Sequence, residues 1–175
     1  DYLRCGAIAG RAHIMDAVRA HAAKGGYVLG ICNGFQIACE AGLLPGLLMR
    51  NAGLKFVCRM QHLTVEHNDT AYTSAYQKGQ VIKVCIAHGE GNYFIDANGL
   101  KALEDNDQIA FRYCDATGAI TEAANPNGAV ANIAGVFNTT KTIMGMMPHP
   151  ENAVVPHVNG HQGTALFQSL VEALG

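Results

Sequence analysis

The apolar run Tyr27-Val28-Leu29 leads straight into Gly30-Ile31-Cys32-Asn33-Gly34, so a short strand must hand over to a helix within a few residues. Glycines before and after Cys32 remove side chains that would clash in so sharp an elbow. A strand, a tight turn and a helix in that order belong to an α/β sheet. At a helix start, Cys32 would stand at the positive end of the dipole, which favours the nucleophilic thiolate. The N–H of Asn33 would point toward an oxyanion formed at an attacked carbon. The alternative is a small buried cysteine at a glycine turn, and on this stretch alone the two readings stand level.

A thiol nucleophile needs a base. His149 lies between Pro148 and Pro150, with Glu151 two residues on. Prolines fix the local backbone, and i, i+2 spacing in extended chain puts both side chains on one face. A carboxylate there can hold the imidazole tautomer and stabilise imidazolium. A surface turn with a solvated glutamate is the plainer alternative; the elbow and the Pro-His-Pro-Glu segment together favour catalysis. Serine chemistry competes poorly, because Ser74 and Ser169 are the only serines and neither sits in Gly-x-Ser-x-Gly.

Around these motifs the pattern predicts a helix from about Ala9 to Lys24 with Ile14, Val18 and Ala22 on its apolar face, stopped by Gly25-Gly26. A second helix is expected from Gly34 to Ala41. Strands are expected over Leu54–Val65, with Leu54, Phe56, Cys58 and Met60 alternating and then Leu63 and Val65, over 81–87, over 108–113, and as a pair around a turn at Asn138 to Lys141. Asp96 should cap a helix through Glu104, and a last helix should span Gly163 to Ala173. At 175 residues, 1–175 reads as one domain, and 49% hydrophobic against 15% charged residues fits a compact globule. A net charge of -2 offers no footprint for nucleic acid or anionic lipid, and no apolar segment approaches spanning length, which suggests a cytoplasmic protein. Six cysteines without a C-x-x-C pair, and eight histidines without a cluster, favour reduced thiols over disulfides or zinc.

"GICNGFQIACEAGLLPG" resembles the nucleophile elbow of the class I (triad) glutamine amidotransferases, G-x-C-x-G-x-Q, and "MPHPE" resembles their histidine and glutamate motif. "DYLRCGAIAG", "LLMRN", "LKFVCR", "IAHGEGNYF" and "IAGVFN…IMGMMPHPE" look like the glutaminase subunits of phosphoribosylformylglycinamidine synthase within that class. The resemblance covers essentially the whole chain and rests on several independent motifs.

It implies a flavodoxin-like α/β three-layer sandwich missing its first strand-helix-strand segment, as though "DYLRCG" were the middle of a longer chain; the family's "PGG" loop, half of the oxyanion hole, would lie before it. It implies Cys32 as nucleophile, His149 as general base and acid, and Glu151 as its orienter. Asn33, Gly34, Gln36 and His88 would bind glutamine, and His88, Glu90 and Tyr93 would form a pocket rim or partner face. Asn152 stands where the family commonly has arginine. No metal or cofactor is implied in this chain, while ATP and Mg²⁺ would serve a partner synthetase subunit, with room for a small third subunit. Sister amidotransferases that make GMP or CTP should lack "DYLRCGAIA" and "HGEGNY". Peptidase-like cysteine hydrolases should lack "HPE", and a non-catalytic binding subunit is the reading from another class.

Overall fold

The computed structural model describes the backbone of residues 3–157 and 160–175; the first two residues of the "DYLRCGAIA" motif lie outside it. Two helices open the chain, α1 (Leu3–Ala9) and α2 (Ile14–Ala23), where the sequence pattern predicts one. The chain turns between them at Gly10, whose carbonyl accepts a hydrogen bond from the Arg19 guanidinium at 3.0 Å. In α2 the inward stripe runs through Met15, Val18 and Ala22, leaving Ile14 in solvent. Gly25, at φ +80°, ends the helix as expected.

Next come β1 (Val28–Ile31), α3 (Asn33–Glu40), β2 (Leu47–Met49), β3 (Val57–Val65), β4 (Val81–His88) and β5 (Asn92–Phe94). After these follow α4 (Ala97–Asp105), β6 (Ile109–Cys114), β7 (Ile133–Phe137), β8 (Ile143–Met146) and α5 (Thr164–Leu174). Asp96 caps α4 by accepting from the Gly99 N–H at 2.7 Å. Six strands form one mixed sheet in the order β1-β8-β7-β6-β3-β4, in which β1 and β8 are parallel and the other pairs antiparallel. The mixed α/β architecture is the one expected.

The first half of β3 departs from expectation. Leu63 and Val65 point inward as expected, together with Gln61, and Leu63 and Gln61 are registered opposite Ile82 and Val84 of β4. Cys58 faces outward and Phe56 and Leu54, just before the strand, stay exposed, so the alternating set Leu54, Phe56, Cys58 and Met60 does not line the core. Only His62 to Val65 pair with β6, so Val57 to Gln61 form a two-stranded ribbon with β4, and apolar residues there can remain wet.

The sheet also curls. His149, just beyond β8, donates its N–H to the carbonyl of Cys85 in β4 at 2.8 Å, linking strands near opposite ends of the sheet order. The Gln162 side chain accepts from Lys83 N on the same strand. What would be an open edge is thereby covered.

Candidate active site

The sharp turn between β1 and α3 puts Cys32 at φ +51°, ψ −106°, a conformation that L-residues other than glycine rarely adopt. It is held there by the Cys32 N–H, which donates to the Met146 carbonyl at 2.8 Å and extends the parallel β1–β8 pairing by one residue. Gly30 is required: a Cβ there would lie 2.7 Å from the Gly34 carbonyl oxygen and 2.8 Å from its carbon. Gly34 is not required in that way. A Cβ on it would meet nothing within 4 Å, so it leaves space over the helix start. The expectation that both glycines relieve clashes holds for one of them.

His149 and Glu151 reach each other by a different route from the extended chain the sequence suggested. Pro150–Asn152 forms a 3-10 turn, and this turn swings the Glu151 carboxylate to 2.6 Å from Nδ1 of His149. Nε2 of His149 is buried and has no hydrogen-bond partner among the described residues. The parallel register of Ile31 with Met146 sets Cys32 beside the strand end that leads into His149, and the Glu151 charge is felt at the thiol.

Burial raises the Cys32 pKa above the ordinary thiol value of 9.0; the Asn33 N–H bonded to the sulfur opposes this and Glu151 adds to it. The expected low-pKa thiolate is therefore replaced by a protonated thiol: removing the sulfur from water outweighs the favourable backbone field.

Gln36 is buried one turn along α3, and its Nε2 donates to the Glu90 carbonyl at 3.3 Å. His88 and Tyr93 are fully buried and form no rim; of the three residues expected there, Glu90 alone reaches the surface. Tyr93 stacks on Phe35 with ring centroids 5.6 Å apart and donates its hydroxyl to the Pro45 carbonyl. His88 sits on the inward face of β4, as register demands, with Nε2 2.9 Å from the Asn127 amide nitrogen, which also lies 3.3 Å from the Tyr113 hydroxyl. Burial, with His149 nearby, lowers the His88 pKa to about 4.

Sequence reasoning missed Asn51, Asn127 and Tyr113. Asn51 donates to the carbonyls of Lys55 and His88 and accepts from the Gly91 N–H, fastening the loop after β4 that carries Glu90. The dense turn text Asn125-Pro126-Asn127-Gly128 was the available signal for Asn127. Tyr113 is indistinguishable by pattern from any core aromatic. Among the described residues, no group of three or more His, Cys, Asp or Glu is placed to hold a metal ion, and no helix is long and apolar enough to cross a membrane.

A thiol on a strained elbow, with a carboxylate-held imidazole beyond the end of the neighbouring strand, suits the class of cysteine-dependent amide hydrolases, and residues 5–169 match the CobB/CobQ-like glutamine amidotransferase domain family. The chain is 58% identical over 174 residues to the phosphoribosylformylglycinamidine synthase subunit PurQ of Bradyrhizobium diazoefficiens, covering 99% of this chain and 75% of that protein. The corresponding figures for the PurQ subunit of Rhodospirillum rubrum are 56%, 99% and 76%. Its fold matches a chain in the structure of PurLQS from Thermotoga maritima with a TM-score of 0.86 at 40% identity, over 100% of this chain and 74% of that one. The chain belongs to the PurQ family of phosphoribosylformylglycinamidine synthase subunits.

Proposed function

We propose that Cys32, His149 and Glu151 perform the glutaminase chemistry of this subunit, which supplies ammonia for making formylglycinamidine ribonucleotide in purine biosynthesis. The observation that carries the assignment is the His149 ring: Glu151 holds Nδ1 at 2.6 Å, so Nε2 is the buried basic nitrogen left for a substrate proton. Cys32 Sγ attacks the side-chain amide carbon of glutamine while Nε2 takes the thiol proton. The same proton passes to the departing nitrogen, and ammonia leaves a γ-glutamyl thioester. Water, deprotonated by Nε2, then releases glutamate and the free thiol. The Asn33 N–H stabilises the tetrahedral oxyanion, and the open space at Gly34 admits the amide. Gln36 and His88 shape the pocket from behind through Glu90 and Asn127.

The chain itself needs no cofactor in this scheme. A partner synthetase subunit uses ATP and Mg²⁺ to activate the acceptor amide oxygen, and ammonia displaces phosphate. The exposed side chains of Leu47, Met49 and Phe94 on the two-stranded antiparallel β2–β5 sheet give that partner an apolar surface to cover. The test is His149→Ala in the assembled complex. Glutamine-dependent synthesis should disappear while ammonia-dependent synthesis persists; loss of both would make His149 a structural or interface residue.

A further inference from the structure

Cys58 of β3 and Cys85 of β4 share the outer face of the two-stranded ribbon. Cys58 is registered opposite Ala87, so Cys85, two residues away on β4, is its diagonal neighbour on the same side. Burial raises the Cys85 pKa and the neighbouring Cys58 thiol adds to the shift. Cys58 is exposed and Cys85 partly so. The backbone of Cys85 is also the point at which β4 holds the catalytic loop, since its carbonyl accepts the His149 N–H at 2.8 Å.

We propose that Cys58 and Cys85 form an oxidation site that closes to a disulfide on exposure to a hydroperoxide and, when closed, slows glutamine hydrolysis by displacing His149. Its effect on activity rests on the triad assigned above; its chemistry does not. Cys58, the accessible thiol, attacks the peroxide O–O bond, giving a sulfenic acid and releasing the alcohol or water. Cys85 then attacks the Cys58 sulfur, the S–O bond breaks, and water leaves with the thiol proton. Two thiols have lost two electrons to one O–O bond, and two equivalents of a small thiol reverse the change.

Geometry supplies the coupling. Diagonal neighbours on antiparallel strands sit with Cα atoms roughly 7–8 Å apart, beyond the roughly 4.4–6.8 Å that a disulfide spans without backbone movement. Closure must draw the strands together, which moves the Cys85 carbonyl and the histidine bonded to it. A bridge closed under strain is also readily reduced, as a reversible device requires.

The experiment treats the full-length protein in its complex with tert-butyl hydroperoxide, blocks remaining thiols, maps disulfide peptides, and measures glutamate release before and after dithiothreitol. A Cys58–Cys85 peptide should appear with a fall in rate of about tenfold or more, the scale of a displaced catalytic group. Dithiothreitol should restore the rate. Cys58→Ser should keep the reduced-state rate and lose the dithiothreitol-reversible inhibition. Absence of the bridged peptide, a bridge without inhibition, or equal reversible inhibition of Cys58→Ser would each overturn the proposal. Failure of the triad reading shows separately, as glutaminase activity retained by reduced His149→Ala; the coupling through His149 then falls, while the peptide map still reports the bridge.

Discussion

Cys32 stands at a helix start, yet burial holds its thiol above the ordinary value of 9.0, so at neutral pH the sulfur keeps its proton until a base removes it. In the proposed mechanism the nucleophile is made during attack, and His149 Nε2, buried and without a partner among the described residues, is the group to make it. A raised thiol pKa means that the reactive anion grows in only as pH climbs past the free-cysteine range. Alkylation of Cys32 by iodoacetamide, followed by peptide mapping, should therefore accelerate up to and beyond pH 9; a plateau already at pH 7 would show a preformed thiolate. A glutamine-like diazo-ketone, which brings its own recognition, should label Cys32 alone among the six cysteines. Labelling of Cys39 or Cys58 instead would overturn the assignment. His149→Ala should cost ~10²–10⁴ in glutaminase kcat, the usual weight of general acid–base catalysis. Glu151→Gln should cost less, because nucleophile and base remain and only the ring's orientation loosens. Its carboxylate is also partly solvated, at 41% side-chain exposure, which weakens its electrostatic share. Glutamate release at saturating glutamine separates the two variants.

The elements that hold these residues were legible in the sequence to differing degrees, for physical reasons. β1, the elbow and α3 stood out because glycine spacing and an apolar run speak locally; so did β7, β8 and the Asp96 cap. β3 was only half legible: Leu63 and Val65 are buried as read, but Leu54, Phe56, Cys58 and Met60 also alternate, and that set stays out of the core because Val57 to Gln61 pair with β4 alone. β2 and β5 are three residues each, too short for any period to register. The approach of Glu151 to His149 depends on a 3-10 turn that proline permits but does not dictate. The proposed triad was nameable from motifs, whereas the buried support beneath it was not, because Asn51 and Tyr113 carry no local signature. Two element-level outcomes follow from the contacts. Gly30→Ala drives a methyl into the Gly34 backbone, which cannot yield without opening the elbow, so a loss of ~1–3 kcal/mol in urea unfolding is expected, with activity lost as well. Gly34→Ala meets nothing and should fold normally, yet raise KM by crowding the helix start. Asn51→Ala leaves the His88 carbonyl and the Gly91 N–H short of a buried partner, and should cost about 1–3 kcal/mol. Native stability in Asn51→Ala would show that water replaces those bonds without penalty.

On the scale of the molecule, the sheet curls until the chain beyond β8 meets β4, and the interior of that curl holds His88, Asn127 and Tyr113. Nδ1 of His88 and Oδ1 of Asn127 are buried there without a partner among the described residues, so such a set is tolerable only with its members neutral. His88 is the member that can change charge. The Asn127 amide nitrogen donates to its Nε2 at 2.9 Å, a bond that requires the unprotonated nitrogen as acceptor. Burial first, and His149 second, lower its pKa from 6.5 to about 4. In the unfolded chain the same histidine binds a proton near pH 6.5, so between that pH and about 4 the unfolded state holds more protons than the native one. The sign follows: the contribution of neutral His88 is complete above pH 6.5 and is lost as pH falls toward 4, reaching a loss of up to ~3 kcal/mol from this group. Urea unfolding at steps from pH 7.5 to 4.5 reads this directly, with His88→Leu as the comparison. Leucine removes the titration, so the variant, whatever its stability at pH 7.5, should lose less on acidification than the native protein over the same interval. Parallel curves for the two proteins would mean that His88 exchanges its proton freely in the fold, and that the interior of the curl is wetter than its packing implies.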